Sequence, residues 1–221
     1  MSKTLILGAS GGIGSALVAA CEARGEVVTG LSRSGDGFEI TDEASVAAHL
    51  ERLDGPFERV VVATGALEID GAEPEKTIRS ISAEAMQDQF RVNAMGPALV
   101  LAHAHRLLPR EGRAVLAVLS ARVGSIGDNR MGGWISYRAA KAAVNQIVHT
   151  AAIELARRHR ETICVALHPG TVATSFTEKY AGRHPTVPAA QAAENLLRVM
   201  DGLTPAETGK FYDWAGKEVV W

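Results

Sequence analysis

Short runs of aliphatic and β-branched residues recur along this chain, and a helix-like stretch follows almost every one. Thr4–Leu7, Val27–Leu31, Arg59–Ala63, Ala114–Leu119 and Thr162–Leu167 are almost wholly apolar rather than alternating. A strand that is apolar on both faces must be covered on both, which is the condition of a parallel sheet between helices. Between these runs, Gly12–Arg24 places Ile13, Leu17, Val18 and Cys21 on one helical face and stops at Gly25. Asp42 can cap a helix through Leu50, and Ser82 one that continues to Leu108. Ile135–His159 and Pro188–Met200 read as further helices, and Phe38–Ile40 and Lys210–Tyr212 as further short strands. Right-handed crossovers turn such an alternation into a doubly wound α/β fold. The expectation is one domain over residues 1–221, with a parallel sheet of about seven strands and helices on both faces.

Composition narrows the function classes. A hydrophobic fraction of 47% supports a large core, and a formal charge of −2 gives no electrostatic case for nucleic acid or an anionic membrane. No segment reaches the roughly 20 apolar residues that a spanning helix needs. The opening MSKTLILGAS runs straight into a strand and lacks the pattern of a secretory signal. Cys21 and Cys164 fall in apolar segments and read as reduced core thiols. The setting expected is cytoplasmic, and no metal-ligand cluster is read from the sequence.

Residues 7–14, LGASGGIG, lie between the first strand and the first helix. Gly8, Gly12 and Gly14 let the backbone turn tightly and approach a bulky ligand, and free N–H groups at a helix start attract a pyrophosphate. Ser10 and Ile13 belong to the same loop. GASGG also satisfies G-x-S-x-G, which would make Ser10 a hydrolase nucleophile with His168 or His184 as base. That arrangement needs a strand before residue 4, and none is present. At the end of the second strand stand Ser32, Arg33 and Ser34, while the first acid, Asp36, comes after Gly35. A carboxylate at this strand end serves the ribose hydroxyl of NAD, whereas arginine with serine suits the 2′-phosphate of NADP. NADP(H) is favoured over NAD(H), the other reading of Arg33 being an ordinary surface residue.

Tyr137 and Lys141 in SYRAAK are four apart, on one face of a helix. An ammonium beside a phenol favours the phenolate and lowers the tyrosine pKa toward neutrality. Tyr137 then becomes an acid for carbonyl reduction or a base for alcohol oxidation.

Taken in order, these motifs resemble the short-chain dehydrogenase/reductase family over essentially the whole chain. LGASGGIG resembles its cofactor loop, and ATGAL at Ala63–Leu67 stands at its NAG-type turn with Thr64 in place of alanine. VNAMG carries Asn93 at the family's helix asparagine, SYRAAK its YxxxK, and HPGTVAT its Pro-Gly turn. LSARVGSIGDN, GGW and GKFYDWAGKEVVW are similar to the C-factor-like and sniffer-like carbonyl reductase group. The resemblance implies a Rossmann fold and an NADP-dependent carbonyl reductase or alcohol dehydrogenase acting on a small carbonyl or alcohol. Tyr137 would be the proton donor, Lys141 would bind the nicotinamide ribose and tune Tyr137, and Asn93 would hold a relay water. Glu39 and Ile40 would meet adenine. Ala63, Thr64, Gly65, Pro169, Gly170 and Val172 would line the cofactor, and Thr174 would bind the carboxamide. A homodimer or homotetramer is implied through Ser82–Leu108 and Ile135–His159.

The chain departs from the family at Ala121, where a serine normally bonds the substrate oxygen. Ser120 is the first candidate to replace it and Ser125 the second. This loss also leaves room for a cofactor-binding signalling or regulatory protein with little turnover, although such a protein needs no proton relay. A substrate lid is expected near 175–188, with Lys179, Arg183 and His184 facing an anionic substrate or simply solvated, and with Met131 and Trp134 lining the pocket or packing.

Overall fold

The structure, a computed structural model, describes residues 1–174, 179 and 186–221. Strands β1 (Lys3–Leu7), β2 (Val27–Leu31), β3 (Arg59–Val62), β4 (Ala114–Leu119), β5 (Thr162–His168) and β8 (Phe211–Asp213) form a six-stranded sheet. Their order is β2-β1-β3-β4-β5-β8, and all are parallel. β6 (Val172–Ala173) and β7 (Val187–Pro188) make a separate parallel pair. Every residue of β3 and β4 is buried, which the apolar runs required.

Helices α1 (Gly12–Ala23) and α7 (Ala189–Gly202) cover one face, while α3 (Glu43–Glu51), α5 (Gly96–Leu107) and α6 (Ile135–Leu155) cover the other. One core gathers Leu5, Leu7, Val60, Leu116 and Val118 against Val100, Val144 and Val148. The opposite core gathers Ile6, Val61, Val115 and Val165 against Leu17, Leu196 and Leu197. Alternate residues of each strand thus feed alternate cores. Beneath α1, the buried Arg59 guanidinium pairs with Glu26 at 2.5 Å and Asp201 at 2.7 Å.

Three expectations are corrected. Phe38–Ile40 is no strand: α2 (Arg33–Asp36) intervenes, Gly37 turns at φ 71, and Phe38 N–H returns to the Ser32 carbonyl. Phe38 is buried as a core side chain instead. Ser82–Leu108 is not one regular helix, because α4 (Ala83–Phe90) and α5 are joined by a π-helical turn at Arg91–Met95. Helix α6 stops at Leu155 rather than His159, whose ring bonds the Pro109 carbonyl from outside the helix.

The chain leaves β1 toward β2 and then returns past β1 to β3. Doubly wound sheets bind ligands at such a reversal, beyond the carboxyl ends of the strands. Residues 8–11, 63–67 and 120–125 all emerge there.

Candidate active site

At the reversal the glycine loop is drawn in too tightly for side chains. Gly8 has φ +91, and a Cβ there would meet the Ala63 carbonyl carbon at 3.0 Å. At Gly12 a Cβ would lie 2.5 Å from Thr174 Cγ2, and at Gly14 2.0 Å from the Gly8 carbonyl oxygen. The loop therefore touches both the turn after β3 and the segment after the Pro-Gly turn. Helix α1 begins at Gly12, and its cap residue Gly11 brings no side-chain acceptor, so the N–H groups of the first turn are left for an anion. Ser10 is exposed and Ile13 packs partly on the core. Thr64 Oγ1 is buried and has no hydrogen-bond partner. An open helix start, a cradle closed to Cβ atoms and an orphaned hydroxyl fit a dinucleotide.

The end of β2 holds a feature that the sequence did not reveal. Asp36 folds back, and its Oδ2 accepts from Ser32 N–H at 2.8 Å and Ser32 Oγ at 3.2 Å. Ser32 in turn caps α2 through Gly35 N–H. Arg33 remains 83% exposed at its side chain, with only a loose 3.9 Å approach to Glu39. Glu39 accepts from Thr41 N–H and Oγ1, and chiefly that backbone bond holds its carboxyl below the usual range. Ile40 packs on Gly96, where a Cβ would lie 2.9 Å from Ile40 Cγ1.

Tyr137 and Lys141 sit on the buried face of α6, exposed by 6% and 3%. Lys141 Nζ is 5.7 Å from the Tyr137 ring centroid and donates to the Leu119 carbonyl at 3.0 Å. Burial lowers the Lys141 pKa to about 8. Burial also raises the Tyr137 phenol well above its ordinary value. The expected lowering is thus reversed here, because desolvation of a fully enclosed phenol outweighs an ammonium beyond hydrogen-bond reach.

Asn93 is fully buried in the π-helical turn. Its Nδ2 donates to the Ala66 carbonyl at 2.8 Å and to Gln89 Oε1 at 2.7 Å, and its Oδ1 accepts from Ala66 N–H at 3.2 Å. Gly65 is the meeting point: a Cβ there would lie 3.1 Å from Asn93 Oδ1 and 3.5 Å from Lys141 Nζ. Gly124 presses against α6 in the same manner, its Cβ position lying 2.7 Å from the Lys141 carbonyl carbon.

Ser120 is buried, and its hydroxyl donates to Asn145 Oδ1 at 2.6 Å. Ser125 is also buried, and its hydroxyl oxygen accepts from Asp128 N–H. Each candidate hydroxyl therefore has a protein partner. Gly170 turns at φ +85 beneath Trp214, after Pro169, and leads into Val172 and Thr174. Neighbouring His168 is enclosed, and burial and then the Arg122 charge lower its pKa to about 4. The expected lid lies largely outside the described residues, as do Arg183 and His184; Lys179 pairs with Glu68 at 2.7 Å. Sequence reading missed Gln89, which meets Asn93 four residues on and the Leu67 carbonyl, and Glu75 and Asn145, whose partners lie far along the chain.

Among known proteins, the family model described as enoyl-(acyl carrier protein) reductase matches residues 37–212. The 1-hydroxy-2-glutathionyl-2-methyl-3-butene dehydrogenase of Rhodococcus sp. (strain AD45) is 31% identical over 233 aligned positions, covering 100% of each chain. The C-signal of Myxococcus xanthus is 36% identical across 62% of this chain and 78% of its own. A short-chain dehydrogenase/reductase of Burkholderia multivorans, solved with NADP bound, superposes with a TM-score of 0.80 at 25% identity, covering 100% of this chain and 99% of its own. No helix among the described residues is long and apolar enough to cross a membrane. With its doubly wound sheet, its glycine loop at the reversal and its buried tyrosine–lysine pair, the chain belongs to the short-chain dehydrogenase/reductase family of oxidoreductases.

Proposed function

We propose that this protein transfers a hydride between NADP(H) and a small carbonyl or alcohol, with Tyr137 as general acid or base. One observation carries the reading: Tyr137 and Lys141 are buried side by side on α6, with Lys141 Nζ bonded to the carbonyl of Leu119, the last residue of β4. Enclosing a lysine cation is costly, and cofactor binding without turnover gives no reason for a phenol beside it. The bound cofactor supplies or accepts the hydride.

The protein's part is to hold the reactants and move the proton. N–H groups of Gly12, Ile13 and Gly14 would take the pyrophosphate, with Gly8 and Ser10 completing the loop. Arg33 would take the 2′-phosphate, which the exposed guanidinium supports; Ser32 would join it only by releasing its hydroxyl from Asp36. Glu39 and Ile40 would meet adenine, and Ala63, Thr64 and Gly65 would lie along the dinucleotide. Pro169, Gly170, Val172 and Thr174 would hold the nicotinamide end. In reduction, Tyr137 gives its proton to the oxygen that gains charge, and its raised pKa keeps that proton loaded at neutral pH. Lys141 supplies positive charge behind it, and Asn93, held by Ala66 and Gln89, would hold a water of the relay behind Lys141.

Ser120 would be the second donor through the other orientation of the Asn145 amide. Asn145 Nδ2 is buried without a partner. Turned over, it donates to Ser120 Oγ and frees the hydroxyl proton for the substrate. An apolar groove beside α4 and α6, lined by Phe90, Ala94, Met95, Ala143 and Ile147, supports the expected pairing of subunits. A cytoplasmic setting fits the two buried free thiols, Cys21 and Cys164.

The test is titration with NADPH and NADH, followed by cofactor oxidation against a carbonyl panel, beside Tyr137→Phe. Tight NADPH binding with Tyr137-dependent oxidation is expected. Binding of neither cofactor overturns the reading.

A further inference from the structure

The first turn of α6 is held by a carboxylate from another part of the chain. Glu75, only 6% exposed, belongs to the connection between β3 and α4, 61 residues before its partner. One carboxylate oxygen accepts from Ser136 N–H at 3.2 Å, and the other accepts from the Ser136 hydroxyl. The Glu75 carbonyl accepts from Trp134 N–H.

The backbone there needs such a hold. Gly132, Gly133 and Trp134 lie at φ 66, 68 and 52, all left-handed. For tryptophan that conformation costs roughly 1–2 kcal/mol. Trp134 occupies the cap position but caps nothing with its side chain, and α6 carries no acid in its first turn. Glu75 supplies what is missing: acceptors for the free N–H groups, and a negative charge at the positive end of the helix. Arg138 braces the same segment, donating to the carbonyls of Gly133 at 2.8 Å, Gly132 at 3.0 Å and Val123 at 3.1 Å. Tyr137 follows Ser136 directly, and its ring meets the edge of Trp134 at 6.3 Å between centroids.

We infer that Glu75 is a positioning residue for Tyr137, its carboxylate fixing the first turn of α6 and hence the place of the phenol. The inference rests on Tyr137 being the proton donor. A donor must stand within hydrogen-bond reach of its target, and a displacement of about 1 Å can cost on the order of 100-fold in rate.

Glu75→Gln and Ser136→Ala in the full chain test it. Glu75→Gln keeps the shape but loses the charge and one acceptor. It is expected to lower kcat by about ten-fold or more, while NADPH affinity stays within about two-fold, because the dinucleotide loop is built on β1 and α1. Ser136→Ala should cost less, and the double variant no more than Glu75→Gln alone. Amide exchange should quicken across residues 134–139 and stay unchanged across residues 8–18. A folded Glu75→Gln with wild-type kcat overturns the inference, and so does a parallel loss of NADPH affinity. Ser136→Ala carries the same test if Glu75→Gln does not fold. If the wild-type protein shows no Tyr137-dependent turnover, the reductase reading fails by itself. Exchange at Ser136 and Tyr137 then decides the cap, and unchanged protection in Glu75→Gln overturns it.

Discussion

Lys141 Nζ stands over the Tyr137 ring, 5.7 Å from its centroid, and spends a hydrogen bond on the Leu119 carbonyl, so the two side chains share one enclosure. Enclosure moves their pKa values in opposite senses, raising the phenol and lowering the ammonium to about 8. The folded protein therefore sheds the Lys141 proton near pH 8, before the unfolded chain does. Two trends follow with opposite signs. The reduction rate falls as pH rises through about 8, because the charge behind Tyr137 is lost. The stability contribution of Lys141 rises over the same range, because the unfolded state then holds more protons. A pH–rate profile beside urea midpoints at each pH checks both. Tyr137→Phe should lower kcat by about 100-fold or more at every pH.

Arg33 is open to solvent and only loosely paired, as a phosphate receptor should be. Arg33→Ala is expected to weaken NADPH binding by about ten-fold or more and to leave NADH binding within about two-fold. The ten-fold figure corresponds to about 1.4 kcal/mol, at the low end for a charge-assisted hydrogen bond. Fluorescence titration of both cofactors reads it. Equal losses for the two would show that Arg33 does not read the phosphate.

Ser120 and Asn145 make a third prediction. If the buried amide donates to Ser120, Ser120→Ala removes the second donor to the substrate oxygen and lowers kcat by about 100-fold. Asn145→Leu, which can neither donate nor accept, should reproduce much of that loss while KM changes little. Wild-type kcat in Ser120→Ala would leave Tyr137 as the sole donor. Ala121→Ser would then be the variant expected to gain activity.

What the sequence disclosed and what it hid follow the range of the interactions. β3 and β4 were legible because burial on both faces leaves a continuous apolar run. Tyr137 and Lys141 were legible because their pairing lies within one helix. The π-helical turn at Arg91–Met95 was not, since one inserted residue barely disturbs the side-chain period. Asp36 seemed remote from β2 because Gly35 separates them, yet the single turn of α2 returns its carboxylate to Ser32. Glu75 could not be found at all, because nothing local links it to Ser136. The direction of the Tyr137 pKa was not legible for a related reason: spacing shows the nearby charge but not the loss of water.

Glu26 and Arg59 tie the start of β2 to β3 and, through Asp201, to α7. Burial pushes the Glu26 carboxyl up, but hydrogen bonds from Thr4 and Arg59 outweigh it and hold the pKa below the usual value. A depressed carboxyl stabilises the fold above its unfolded pKa, and that contribution is lost as pH falls through the folded value. Removing one partner of a buried pair is more damaging than removing both, because the remaining charge stays desolvated. Glu26→Gln is therefore expected to cost roughly 3 kcal/mol at pH 7. Asp201, which still accepts from Arg59, keeps the cost at that lower end. Urea unfolding at constant slope measures it, and the deficit should shrink as pH is lowered through the Glu26 titration. The site lies beneath α1, away from the Tyr137 end of α6, so NADPH affinity at 25 °C should be unchanged. A cost independent of pH would show that packing, not charge, holds this corner together.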